Sequence, residues 1–176
     1  TGPLSADETK KSIARIRELT DKPFGVGCTL LMPGAKENAE VALQMEVPVI
    51  NFSLITKKEG ESLIKRCHDY GGKVITTVVN EKHAKSARDM GTDALMVTGH
   101  EAAAHGGDVT SFVLVPSLAS KLPDMPIICA GGVGDGRGLA AMLALGADGV
   151  AMGSRLAVTK ESPLAGAVKD QIVELD

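Results

Sequence analysis

Ala130-Gly131-Gly132-Val133-Gly134-Asp135-Gly136, followed one unit later by Gly149-Val150-Ala151-Met152-Gly153-Ser154-Arg155, decides how this chain is read. Each is a short apolar run that breaks into a glycine-rich turn. Glycines at such a turn let backbone N–H groups converge on an anion with no Cβ in the way, and the start of a following helix adds the positive end of its dipole. The first stretch is not GxGxxG, and no acidic residue suited to a ribose ends the next apolar run, so a dinucleotide site is disfavoured. Taken alone, its glycines could simply permit a tight turn. The second turn, with the Ser154 hydroxyl, favours a phosphate site, while Arg155 either supports that phosphate or caps the strand end.

Working outward, the same unit recurs along the chain. Apolar runs bounded by turn residues lie at 23–31, 47–54, 73–79, 94–98, 126–130 and 149–152, and read as six buried strands. Helical spacing fills the intervals at 38–44, 59–70, 81–90, 116–122 and 138–145, several of them closed by glycine where a left-handed C-cap is needed. Ser5-Ala6-Asp7-Glu8 has the capping-box pattern and opens a helix over 6–19. Strand and helix in alternation, with strands apolar throughout, imply parallel strands joined by right-handed crossovers.

Periodicity alone leaves an open doubly wound sheet and a (β/α)8 TIM barrel both standing. The glycine turns favour the barrel, because barrels commonly seat a phosphate in the loops after their seventh and eighth strands. The six strands then become strands three to eight. A complete barrel takes about 250 residues, so the 176 residues are expected to form one partial barrel domain lacking its first two strands.

Composition excludes several classes. Hydrophobic residues make up 44% and charged residues 23%, which suits a globular chain and not a disordered one. There is no Trp, one Tyr and three Phe against 20 Gly, so bases would find no stacking platform, and a net charge of -3 gives no basic stripe for a nucleic-acid backbone. Nucleic acid is not expected as a partner. No apolar run is long enough to span a membrane, and the start Thr1-Gly2-Pro3-Leu4 has no secretory signal pattern, so cytoplasmic location is the expectation. Cys28, Cys67 and Cys129 have neither zinc nor disulfide spacing and read as packing residues.

The segment Gly99-His100-Glu101-Ala102-Ala103-Ala104-His105-Gly106-Gly107 begins where the fourth strand ends, the edge of a barrel at which catalytic groups collect. An imidazole suits proton transfer near neutral pH, and His105 is the candidate base. The spacing of His100 and His105 does not fit a helical metal pair, and no metal is expected. His68 and His83 fall in helical stretches and read as surface or packing residues.

These residues resemble the FMN-dependent nitronate monooxygenases, formerly called 2-nitropropane dioxygenases, and the related FMN-containing enoyl-ACP reductases. The matching stretches are Leu19-Thr20-Asp21-Lys22-Pro23-Phe24-Gly25-Val26, the His105 segment, Ala130 to Gly136, and Met152-Gly153-Ser154-Arg155 followed by Lys160-Glu161-Ser162, in the family's order. The resemblance implies a TIM barrel binding FMN at its carboxyl-end face, with the phosphate against Gly131, Gly132, Gly153 and Ser154. Thr98, Gly99, Ala103, Ala151 and Met152 would complete the flavin site, and His105 falls on the family's catalytic base. It further implies oxidation of nitronates or nitroalkanes with O2 to carbonyl compounds and nitrite, or, as the alternative, reduction of an enoyl thioester by NAD(P)H.

The chain departs from the family's pattern at Ala103-Ala104, where glycines are usual, and at Gly27, Thr98 and Ser53, where an Asn, a Gln and a His are common. A reading of another class is a non-catalytic partial barrel or interaction module. Its open strand edges would pair with another copy, as a homo-oligomer, or with a missing segment.

Overall fold

The computed structural model describes residues 4–103 and 106–175. Its elements alternate as the hydrophobic pattern demands: α1 (Ala6–Leu19), β1 (Gly25–Thr29), α2 (Ala35–Gln44), β2 (Val49–Ser53), α3 (Lys57–Asp69), β3 (Lys73–Val78), α4 (Glu81–Asp89), β4 (Ala94–Thr98), α5 (Ser111–Lys121), β5 (Ile127–Ala130), α6 (Gly136–Ala144), β6 (Gly149–Ala151), α7 (Ser154–Ala157) and α8 (Gly166–Glu174). The strands follow one another in chain order, β1-β2-β3-β4-β5-β6. Pairing is parallel, with Gly25 opposite Val49, Val49 opposite Lys73 and Ile128 opposite Gly149. A doubly wound sheet reverses its strand order at a switch point. Six strands in unbroken order, each followed by a helix, make an incomplete (β/α) barrel instead, with six of eight units, as the glycine turns led one to expect.

The chain divides into two compact units, one of residues up to Met96 together with Asp124–Pro126, the other of Val97–Pro123 and Ile127 onward. In the first, strand alternation separates two faces of β1 to β3. Val26, Cys28, Ile50, Phe52, Val74 and Val78 are buried, with α2 against β1 and α3 and α4 against β3. Thr29, Asn51, Ser53, Ile75 and Thr77, on the other face, are only half-buried. Each large side chain fully withdrawn from water contributes about 1.5–3 kcal/mol, so the helix-covered face holds this unit together. The capping box forms as read: Ser5 Oγ accepts from Glu8 N, and Ser5 N donates to Glu8 Oε2. α1 is tied to α2 through Thr9 Oγ1, which donates to the buried Asn38 Oδ1 at 3.0 Å. All three cysteines are buried free thiols, which supports reading them as packing residues.

A small device recurs in both units. α4 and α6 each run out into a left-handed glycine, Gly91 at φ 93° and Gly146 at φ 98°, and two residues later an aspartate precedes the next strand. Asp93 Oδ2 accepts from Val74 N at 2.8 Å, and Asp148 Oδ2 accepts from Ile127 N at 2.8 Å. Each carboxylate thus ties the start of one strand to the start of its neighbour. Asp93 also receives His68 Nε2 at 2.8 Å and Lys73 Nζ at 2.9 Å. Burial alone would raise its pKa, but the hydrogen bonds from Lys73, Val74 and His68 outweigh burial and hold the carboxyl below the usual range.

A depressed carboxyl stabilises the fold at every pH above its unfolded pKa and loses that contribution as pH falls through the folded value. Asp93→Asn is therefore expected to cost about 1–3 kcal/mol at neutral pH, the scale of charged hydrogen bonds, and to lose its penalty in acid. Urea midpoints at neutral and acid pH check both parts; an unchanged neutral midpoint refutes them.

Three helices differ from the sequence expectation, one of them the short α7, where no helix was expected. α5 begins at Ser111, five residues before the expected start at Pro116, and carries Pro116 inside it. Proline there removes one intrahelical bond. The carbonyl that would receive it belongs to Phe112, a residue on the exposed side of the helix at 63% exposure. Helix α8 was not anticipated, because Val168, Ile172 and Val173 give a weak pattern and Ala165 supplies no side-chain cap. Among the described residues no helix is long and apolar enough to cross a membrane.

Candidate functional site

In the second unit β5 and β6 set the site. Their register places Ala130 opposite Ala151, so Gly131 and Met152 leave the sheet side by side. Gly131 and Gly132 then take left-handed conformations, φ 94° and 72°. Both glycines also permit close approach. A Cβ on Gly131 would lie 2.9 Å from the Ala102 backbone, and one on Gly132 would lie 3.2 Å from Glu101 Cβ. The turn after β5 is thus packed against the loop after β4. Asp135 closes it by capping α6, its Oδ1 accepting from Arg137 N at 2.9 Å and Gly138 N at 3.1 Å. The paired Arg137 guanidinium and the Gly138 N–H hold its carboxyl below the ordinary range.

After β6, Gly153 caps the short helix α7, its carbonyl accepting from Leu156 N and Ala157 N at 3.0 Å. A Cβ at Gly153 or at Gly134 would meet nothing within 4 Å. Gly134 lies on the wall of a cavity of about 650 Å3 whose lining also includes Gly132, Ser154 and Arg155 and, from α8, Ile172 and Val173. Its size lies inside the span of about 300–1,000 Å3 common for small-molecule sites. Arg137 is neutralised by Asp135 at 2.7 Å. Arg155 has no ion pair or hydrogen bond among the described residues, which leaves its charge available to an anion in the cavity. Open space above glycine, a hydroxyl and an uncommitted guanidinium together fit a phosphate.

The loop after β4 is built on Thr98, which is buried, and Gly99. A Cβ at Gly99 would sit 2.2 Å from Ser111 N and 2.6 Å from Ser111 Oγ, so no other residue fits without displacing the start of α5. Ala102 N donates to Gly99 O at 3.1 Å, His100 N donates to Val109 O at 2.9 Å, and a Cβ on Gly106 would stand 2.6 Å from Gly99 O. The two limbs of the loop therefore close on Gly99. Glu101 reaches Ser111, its Oε2 accepting from the backbone N–H at 2.9 Å and from the hydroxyl at 3.0 Å. Burial would raise its pKa, but the Ser111 hydrogen bonds prevail and hold it low.

Of the residues singled out in the sequence, Gly132 and Ser154 line one cavity. Gly131 and Gly153 are their chain neighbours, and Ala151 and Met152 lead into the second turn. Thr98 and Gly99 adjoin through the Glu101 and Ala102 contacts, and Ala103 follows in the same loop; none of these three lines the cavity. His105, the expected base, lies outside the described residues. The sequence reading gave Glu101 no role, and it overlooked Ile172 and Val173, which wall the cavity from a helix it did not foresee.

A family model described as nitronate monooxygenase matches residues 1–176. The (3aS,4S,5R,7aS)-5-hydroxy-7a-methyl-1-oxo-octahydro-1H-indene-4-carboxyl-CoA dehydrogenase of Rhodococcus jostii RHA1 is 40% identical over 168 residues, covering 96% of this chain and 46% of that protein. FabK from Thermotoga maritima superposes with a TM-score of 0.91 at 37% identity, covering 98% of this chain and 54% of that one. A nitroalkane oxidase from Streptomyces ansochromogenes gives a TM-score of 0.83 at 25% identity, covering 94% and 59%. The chain spans about half the length of the curated relatives it matches.

Proposed function

Because the chain belongs to the nitronate monooxygenase family of oxidoreductases, we propose that it carries the phosphate-gripping half of an FMN-dependent oxidoreductase site whose substrate is a carboxylic thioester. The observation that carries the cofactor reading is the cavity at the carboxyl ends of β5 and β6, with Gly132, Ser154 and the uncommitted Arg155 on its wall. For the substrate, support comes from the carboxyl-CoA dehydrogenase at 40% identity. Bound FMN would supply a two-electron centre that exchanges hydride with a substrate carbon or with NAD(P)H.

The chain's own residues have the following parts. The backbone of Gly131, Gly132 and Gly153, the Ser154 hydroxyl and Arg155 hold the phosphate. Ala151 and Met152 carry the strand end toward the flavin, and Thr98, Gly99 and Ala103 flank it from the loop after β4. His105 gives or takes the proton at the carbon next to the thioester carbonyl, a position that the carbonyl itself acidifies.

Nitronate or nitroalkane oxidation with O2 is the second reading, favoured by the family match and the nitroalkane oxidase likeness. There His105 would take the α-proton of a neutral nitroalkane, and the products would be a carbonyl compound and nitrite. One observation weighs against it. Ser53, where the resemblance leads one to expect a histidine, is engaged with Thr77, to which it donates at 2.9 Å, and Thr77 in turn donates to Asn51 at 3.1 Å.

The chain mixed with FMN and passed down a desalting column is expected to keep a visible flavin band. Under anaerobic conditions NAD(P)H should bleach that band, and an enoyl-CoA should restore it. Bleaching by a nitronate, with nitrite appearing once O2 is admitted, would move the assignment to the second reading. A colourless column eluate would overturn the FMN site.

A further inference from the structure

Glu101 holds more of the second unit than its place in a surface loop suggests. Helix α5 opens at Ser111 after Thr110, which makes no side-chain capping bond. The free N–H groups of a helix start need an acceptor, usually supplied by the residue just before it. Here it comes from ten residues upstream: both Glu101 oxygens accept from Ser111 N, at 3.1 and 2.9 Å, and Oε2 also accepts from Ser111 Oγ. Ser111 is buried and its hydroxyl also meets the buried thiol of Cys129, on β5 just before the glycine turn.

The methylene stem of Glu101 completes the link. Its Cβ and Cγ stand 3.2 and 3.4 Å, and its carboxyl carbon 3.9 Å, from where a Gly132 Cβ would be. The stem therefore occupies the side-chain space of Gly132, while Ala102 occupies that of Gly131. One residue thus touches the anion turn with its stem and the α5 N-terminus with its carboxylate.

We infer that Glu101 is a positioning residue of the phosphate turn, bracing Gly131-Gly132 against helix α5 so that their backbone keeps the left-handed geometry in which the phosphate is met. The inference rests on the reading of that turn as the FMN phosphate grip. Electrostatics alone would predict the opposite effect. A carboxylate near a phosphate repels it, and removing the charge would tighten binding. The carboxylate is directed to the helix start, where its charge is favourably placed, so the bracing role governs the sign.

The test compares FMN with riboflavin, which lacks the phosphate, by quenching of flavin fluorescence on binding. Glu101→Ala is expected to weaken FMN roughly tenfold, the scale of one lost charge-assisted hydrogen bond, with riboflavin affinity unchanged. Glu101→Gln, which keeps the stem and an acceptor for Ser111, is expected to restore FMN binding to within about threefold of the parent chain. Unchanged or tighter FMN binding in Glu101→Ala overturns the inference, as does equal weakening of FMN and riboflavin, the mark of general unfolding. If Glu101→Ala gives no folded protein by circular dichroism, Glu101→Asp, one methylene short of Ser111, carries the same comparison. A parent chain that binds riboflavin and FMN equally removes the phosphate grip itself. A parent chain with a strong FMN preference that Glu101→Ala fully retains removes only the role of Glu101.

Discussion

Gly131→Ala is expected to destabilise the chain by about 2–4 kcal/mol and to abolish FMN retention. Two costs add. At φ 94° an L side chain is strained, by about 1–2 kcal/mol. The new Cβ would also press on Ala102 N and Cα at 2.9 Å, and overpacking of this kind typically costs about 1–3 kcal/mol. Neither neighbour can swing aside, because both are backbone atoms in a loop closed on Gly99. Gly134→Ala, in the same turn but with open space around its Cβ and no positive φ, should leave the urea midpoint within about 0.5 kcal/mol of the parent, as surface changes do. Equal midpoints for the two variants would show that the turn does not depend on its glycines.

His105→Ala is expected to lower turnover by roughly 10²–10⁴, the usual worth of a general acid or base, while leaving FMN retention intact. The expectation rests on the family resemblance and on the loop that brackets this position: Glu101 fixed to Ser111 on one side, Gly106 against the Gly99 carbonyl on the other. Proton transfer at carbon is slow without a positioned acid or base, so the loss should fall on kcat; on the nitroalkane reading it should also largely spare a substrate supplied already deprotonated, the nitronate. Turnover within twofold of the parent on a neutral substrate would take His105 out of the mechanism.

Much of the fold was legible in the sequence because its determinants are local. The Ser5 to Glu8 capping box spans one helical turn. Gly71, Gly91 and Gly146 mark helix ends at single residues, and all three take positive φ. The apolar runs and their spacing dictate parallel strands. The two glycine turns sit directly at the ends of β5 and β6, so a phosphate site could be named from them without knowing what lies nearby.

What escaped has partners distant in sequence. Pro116 read as a helix start, yet α5 begins at Ser111, whose N–H and hydroxyl donate to Glu101, and no local pattern joins those two positions. The pairing of Asp93 with Val74 and of Asp148 with Ile127 follows only once neighbouring strands lie side by side. Gly99 was expected at the flavin site, but that a Cβ there would fall on Ser111 N follows only from the packing of α5.

By itself the sequence determined the alternation of six strands with their intervening helices and the two glycine turns at the ends of β5 and β6, since each is written in patterns a few residues long. Only the tertiary structure decided that Glu101 braces Gly132, that Arg155 is left uncommitted among the described residues, and that α8 walls the cavity. Those facts depend on which distant surfaces meet, and short-range periodicity carries no record of that.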